Sequence, residues 1–391
     1  MAEGENRSMY LRKVNIALAL LFVFIICLVA GILIYDKTTP KRGLGIDWKD
    51  VPPSLEETLC LCFIEKALGN EWGIFTNFIP DSSRKAWATG HQILSESEGL
   101  MMLYAVQAGD KTLFDQHFNF VTNMLIDDGV IAWRIDEDGT LLTGASASID
   151  DLRIIRALFF AHDRWGDDKY KIALHDLVQR LKKYELTPLG LVDYYDASTK
   201  KASTTITLSY IDLYTMDLLA QTDATWARAA VKGRKIIEEG VIAGKTPFYH
   251  QSYDYKTKSY LPSEEINIID FLKIILHLSE VQQAPQQSID WLWGQLNTHG
   301  ALYNNYRADT GQPANGLQSS AAYALACRIA TNINDPHLYK AMYDRLISFQ
   351  IRAKDSALHG AWGDLSSQRV YSFDNLQALL ALQAAELYRG R

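Results

Sequence analysis

The chain has 391 residues, 48% of them hydrophobic and 22% charged. That balance leaves ample apolar surface to bury and excludes intrinsic disorder over most of the length. Lys and Arg number 39 against 46 Asp and Glu, a net charge of −7, which argues against a nucleic-acid binder carrying a basic field for phosphates. Four cysteines, Cys27, Cys60, Cys62 and Cys327, do not make a disulfide scaffold, and the last three read as small buried hydrophobes.

Residues 16–35 contain no charge and no proline. At 1.5 Å per residue such a helix spans a bilayer core of roughly 30 Å. The apolar run continues past any small-residue cleavage site, which favours a retained anchor over a cleaved signal peptide. Arg7, Arg12 and Lys13 precede it and Lys37, Lys41 and Arg42 come after it, so the flanking charge is nearly even. The expected arrangement is a cytoplasmic tail (1–15), one transmembrane anchor (16–35), a linker (36–53) and an extracellular domain (54–391).

Beyond Pro53 apolar residues recur every three or four positions, the period of a helix rather than a strand. Helices are expected over 55–68, 95–107, 111–126, 149–164, 167–184, 207–220, 225–239, 263–281, 287–297, 317–330, 335–350 and 372–388. Short extended pieces are expected at 130–134 and 248–255. Turn signals such as Asp127-Asp128-Gly129 and Trp165-Gly166-Asp167 mark the gaps. Ser263 before Glu264 and Glu265, and Asp335 before Pro336, read as helix caps. Twelve helices without a strand-rich half suggest an all-α fold. Six helical hairpins closed into an (α/α)6 toroid fit better than an open solenoid, since no regular short repeat is present. Loops at one end of its inner helices would then surround a groove.

The sequence holds no glycine-rich phosphate loop, no HExxH and no GxSxG, and its nine histidines are scattered. Neither a metal nor an organic cofactor is expected. What remains is carboxylates beside aromatics. Ser95-Glu96-Ser97-Glu98-Gly99 opens a helix whose later face is apolar. Glu96 reads as a first-turn acid complementing the helix dipole. Glu98, between two small residues, is the candidate proton donor, because a carboxyl partly hidden from water holds its proton to higher pH. A small-residue loop, 145–148, runs into Asp150 and Asp151 at the next helix start, and one of the two is expected to be a plain first-turn acid. Trp133 and Arg134 lie on an extended piece that could line the groove.

At these residues the chain resembles glycoside hydrolase family 8, over nearly all of 60–391. Ser97-Glu98-Gly99 is similar to the family's Ser-Glu-Gly, whose Glu is the general acid. The segment from Ala105 to Lys111, with Phe114-Asp115, resembles the family's stretch immediately after that motif. Ala147-Ser148-Ile149-Asp150-Asp151-Leu152 resembles Ala-Thr-Asp-Ala-Asp-Leu, in which an Asp holds the sugar at the cleavage subsite. The first Asp of that pattern falls on Ile149, so either Asp150 or Asp151 serves by a local shift or the role is lost. Leu208-Ser209-Tyr210 resembles the family's Pro-Ser-Tyr. The family's base, the Asp of Tyr-Asp-x-x-Arg, falls nearest Asn267, which cannot be a base; Glu264, Glu265, Asp270 or Asp254 could substitute. The resemblance implies an inverting, endo-acting hydrolase of β-1,4-linked glycans. The anchored form also resembles hydrolases encoded beside Gram-positive exopolysaccharide synthases, which implies a secreted glycan as substrate. The site expected from this reading has Glu98, Asp151, Asp150, Glu265 and Asp254 as catalytic candidates, with Trp133, Arg134, Tyr210 and Trp87 against the sugar. A non-catalytic glycan-binding relative, a polysaccharide lyase on the same toroid and a membrane-tethered scaffold are the competing readings.

Overall fold

The computed structural model describes residues 44–80 and 88–389. The expected membrane segment and Trp87 lie outside them. Among the described residues no helix is long and apolar enough to cross a membrane.

Twelve α-helices are described: α1 (Leu55–Ala67), α2 (Ser95–Ala108), α3 (Lys111–Asn123), α4 (Ser148–Trp165), α5 (Asp168–Tyr184) and α6 (Leu213–Ala220), then α7 (Ala224–Glu239), α8 (Ile268–Glu280), α9 (Gln286–His299), α10 (Ser320–Asn332), α11 (Pro336–Ser348) and α12 (Ser372–Arg389). Local chemistry sets their ends. Ser54 and Glu57 form a reciprocal capping box on α1. Asp110, Asp167, Asp223 and Asp335 each accept a backbone N–H in the first turn of the next helix. Gly109, Gly166 and Gly300 stop α2, α4 and α9 in the left-handed conformation.

Even-numbered helices form the inner ring. Each packs on the next, α2 on α4, α4 on α6, α6 on α8, α8 on α10 and α10 on α12, and α12 returns to α2 and closes the circle. Odd-numbered helices lie outside: α3 on α2, α5 on α4, α7 on α6, α11 on α10 and α1 on α12. Phe271 of α8 meets Trp291 of α9 at 5.3 Å between ring centroids. The inner helices are buried nearly all round, as between two layers. In α4 every residue from Ser148 to Ala161 is buried. Trp226 and Trp362 are fully buried in the packing between the rings, and truncating either to Ala would cost about 3–5 kcal/mol.

Three expected helix starts move by three residues or more, all on inner helices. The start of the helix expected at 263 is a strand, Glu265–Asn267, and Asn267 rather than Ser263 caps α8. The start expected at 207 is a 3₁₀ turn, Leu208–Tyr210, before α6. The start expected at 317 moves to Ser320, capped by Ser319. Short antiparallel pairs collect here: Ile93–Leu94 with Arg134–Ile135, Thr205–Thr207 with Ser252–Asp254, and Glu265–Asn267 with Asn305–Arg307. They feed the N-termini of the inner helices and form a rim at that end of the ring. From Leu44 on, part of the expected linker is packed on the domain: the Leu44 N–H and the Trp48 indole both donate to Asp163, at 2.9 and 2.7 Å. Cys60 and Cys327 are buried as expected, but Cys62 is exposed.

Candidate active site

Side-chain contacts join several of the inner-helix N-termini, all but one of them hydroxyl to acid. Ser95 Oγ donates to Asp150 Oδ2 at 2.7 Å, linking α2 to α4. Ser209 Oγ donates to Asp270 Oδ1 at 2.9 Å, linking the 3₁₀ turn to α8. Ser319 and Ser320 both donate to Asp374, linking α10 to α12. Ser97 and Ser372 meet at 2.9 Å, linking α12 back to α2. Each acid sits where exposed backbone N–H groups and the helix dipole favour negative charge.

Glu98 is not in this rim. It is fully buried, its Oε1 accepts the Ile74 N–H at 2.8 Å and its Oε2 lies 2.6 Å from His117 Nδ1 on α3. Gly73, at φ +147°, lets the loop pass this close; a Cβ there would stand 2.5 Å from Glu98 Oε1. The expectation that Glu98 faces an open groove is therefore corrected. Two residues on a helix differ by about 200° in direction, so Glu98 points at the outer ring and Glu96 points into the ring.

A quarter of the Glu96 side chain is exposed. Burial pushes its carboxyl above the usual range, Lys273 and Arg153 pull it down, and Asp150 and Asp270 push it up again. Glu96, Asp150, Asp270, Arg153 and Lys273 thus share one electrostatic environment at the centre of the rim. Arg153 lies 3.7 Å from Glu96 and 2.6 Å from Asp150. Tyr210 stands among the same acids: burial first, then Asp150, Glu96, Asp193 and Asp270, raise its phenol. The Lys273 ammonium is 5.4 Å from the Tyr210 ring centre.

The other expected residues are more dispersed. Asp150 is buried and held by Ser95 and Arg153. Asp151 is buried behind it against Glu185, which Ser146 also contacts. Burial and Glu185 push Asp151 well up, and burial pushes Glu185 up to about 7; the two acids form one proton-sharing pair away from the groove. Glu265 is exposed on its strand and borders a cleft of about 90 Å³ with Ser209, His250 and Asp270. Asp254 accepts the Lys256 N–H at 2.7 Å and organises a hairpin turn instead of reaching the rim acids. Trp133 is half-buried, its carbonyl accepts the Ser95 N–H at 3.2 Å, and the Arg134 guanidinium lies 4.7 Å from its ring centre.

Sequence reading missed Glu96, Lys273 and Arg153. The signal was helical phase. Glu96 lies four and seven residues before Leu100 and Leu103, which line the interior of the ring with Arg153 and Lys273.

Below the rim the axis is filled with charge. Arg156 donates to both oxygens of Glu280, at 2.7 and 2.9 Å, and to Asp212. Burial would raise Glu280, but Arg156 and His277 hold it far below the usual range. Burial lowers Arg328 to about 10. Ligand atoms of Asp212, His277 and Glu280 lie within 4.8 Å of one another, yet Arg156 already supplies the cation there.

Comparison with known proteins matches residues 55–193 to the model of Glycosyl hydrolases family 8. Putative lipoprotein YdaJ of Bacillus subtilis (strain 168) is 30% identical over 315 residues, 80% of this chain and 85% of that protein. This chain belongs to glycosyl hydrolase family 8. It is a glycoside hydrolase. A solved structure described as a novel alpha-amylase from Clostridium perfringens is 38% identical, with a TM-score of 0.79 over 85% of this chain and 99% of that one. Endo-beta-1,4-glucanase CMCax from Acetobacter xylinum is 18% identical, with a TM-score of 0.62 over 86% and 100% of the two chains, a likeness of fold. Asp270 and Lys273 follow Asn267, the cap of α8, by three and six residues.

Proposed function

We propose that the chain is an endo-acting, inverting hydrolase of a 1,4-linked polysaccharide, with Glu96 as general acid and Asp270 as general base. The observation that carries this is the raised Glu96 carboxyl, which shares a rim with Asp270 on a different inner helix. Glu96 gives its proton to the glycosidic oxygen as the C1–O bond breaks. Asp270 takes a proton from the water that attacks C1 from the opposite face, and the product leaves with inverted configuration. An inverting pair stands roughly 6.5–9.5 Å apart, leaving room for that water. Ser209 holds one oxygen of Asp270 and leaves the other for the water. Asp150, Tyr210 and Trp133 would border the sugar at the cleavage point.

The family favours β-1,4 linkages, and with the apolar run 16–35 as an anchor we propose a cell-surface enzyme acting on a secreted glycan. A second reading, α-1,4 linkages, is supported by the 38% identity to the Clostridium perfringens amylase and by Ile149, which stands where the family pattern has its subsite Asp. The test is incubation with matched panels of β-1,4 and α-1,4 glucans and secreted bacterial exopolysaccharide, tracking reducing ends and the anomeric configuration of the first product. Inversion on one panel, lost in Glu96→Gln, supports the proposal; retention of configuration, or an active Glu96→Gln, overturns it.

A further inference from the structure

Outside the ring, between α1 and α3, a cavity of about 420 Å³ opens on the protein surface, a size that accepts small ligands. It is separated from the groove by α2. His117 lies in its wall and is 4% exposed. Glu98 occupies its Nδ1, and among the described residues no protein group bonds its Nε2. A buried imidazole whose rear nitrogen is fixed by a carboxylate presents its other nitrogen in one orientation. Glu98 is itself fixed from behind by the Ile74 N–H. The buried Glu98–His117 pair, unused by the cleavage chemistry, thus ends in an unpartnered ring nitrogen in the wall of a ligand-sized cavity.

The rest of the wall sets the ligand class. Leu61, Leu113 and Phe120 supply flat apolar surface, while Thr112 and Gln116 supply hydrogen-bonding groups. The wall carries Glu65 and Asp110 and no Lys or Arg, which disfavours phosphate or any other anion. Apolar faces beside uncharged hydrogen-bonding groups suit a neutral polyhydroxylated ring, whose C–H faces pack on Phe120 and whose hydroxyls bond polar side chains. We propose that this cavity is a second carbohydrate site, taking one neutral sugar unit with a hydroxyl on His117 Nε2. It would hold a glycan to the wall of the enzyme while the groove works elsewhere. This site stands on its own lining and does not depend on the linkage cut in the groove.

The experiment uses the full-length chain labelled with 15N-histidine, titrated with cellotetraose and with maltotetraose, with His117→Gln identifying the His117 resonance. Gln116 and Thr112 are exposed, so Gln116→Trp fills the cavity mouth without disturbing the buried pair. The expected result is a saturable shift of the His117 signal with at least one sugar, weakened by about tenfold or more in Gln116→Trp, while hydrolysis of short soluble substrate by that variant is unchanged. A His117 signal that moves with neither sugar, or a shift equally strong in Gln116→Trp, overturns the proposal. Loss of hydrolysis in Glu96→Gln with the His117 shift intact separates this site from the groove.

Discussion

Glu96 and Glu98 are two residues apart on one helix and serve opposite sides of it: Glu96 faces the acids and cations of the rim, and Glu98 is locked to His117 on the outer ring. A helical step of about 100° per residue is the whole cause. Substituting each in turn therefore separates chemistry from folding. Glu96→Gln is expected to lower kcat/KM by roughly 10²–10⁴-fold with little change in Tm, as for loss of a general acid. Glu98→Gln is expected to cost about 1–3 kcal/mol of stability, because a buried side chain with two hydrogen-bond partners is altered, while kcat/KM of the folded protein stays close to wild type. Steady-state kinetics and thermal denaturation on the same preparations check both.

Asp270→Asn should remove turnover as completely as the acid variant, since the water then has no proton acceptor. Added azide, a nucleophile that needs no base, is expected to restore bond cleavage and give a glycosyl azide of inverted configuration. Its absence under conditions where Glu96 is intact would move the base elsewhere on the rim.

Lys273 pulls the Glu96 carboxyl down against burial. Removing that cation in Lys273→Met lets the carboxyl hold its proton to higher pH. The alkaline limb of kcat/KM is expected to move upward in the variant. A pH–rate profile reads the shift directly, and a limb that moves down would contradict the electrostatics described.

The Asp151–Glu185 pair makes stability pH-dependent in a defined direction. Glu185 is pushed from 4.5 up to about 7 in the folded chain, so the folded state holds a proton that the unfolded state releases. That contribution is fully present below about pH 4.5 and is lost as pH rises through about 7. Facing the pair are Ser146 and Asp150, and no cation contributes to either shift. Tm is expected to fall over this window, and Glu185→Gln is expected to flatten the fall.

Arg156→Met should be among the most damaging single changes. It leaves Asp212 and Glu280 buried without their shared partner, a loss of about 3–5 kcal/mol. Denaturant unfolding of the variant measures it, and replacing all three by apolar residues is expected to recover much of the loss.

The toroid was legible because its helices carry strong three-four periodicity and clear aspartate caps, and all twelve expected helices are found. The starts of α6, α8 and α10 were not, because there the backbone leaves the helix to form strands and turns around the groove, and apolar spacing alone does not register that switch. The acids of the rim were legible as residue types. The role proposed for Glu96 rests on the helical phase that links it to Leu100 and Leu103, which the Ser-Glu-Gly resemblance does not register. Asp254 fitted as a carboxylate beside tyrosines, yet its oxygens serve its own turn. Tyr210 rides on the 3₁₀ turn that packs beside the N-terminus of α8, a placement that apolar spacing does not encode.

The Ser97–Ser372 contact joins the first inner helix to the sixth, and its consequence is temporal. Glu96 is made early, but the wall against which its helix settles is made some 270 positions later. Until then Glu96, the proposed proton donor, stands without that enclosure. The ring closes only once α12 has emerged to pack on α2, so on the proposed reading a half-made chain lacks the assembled rim.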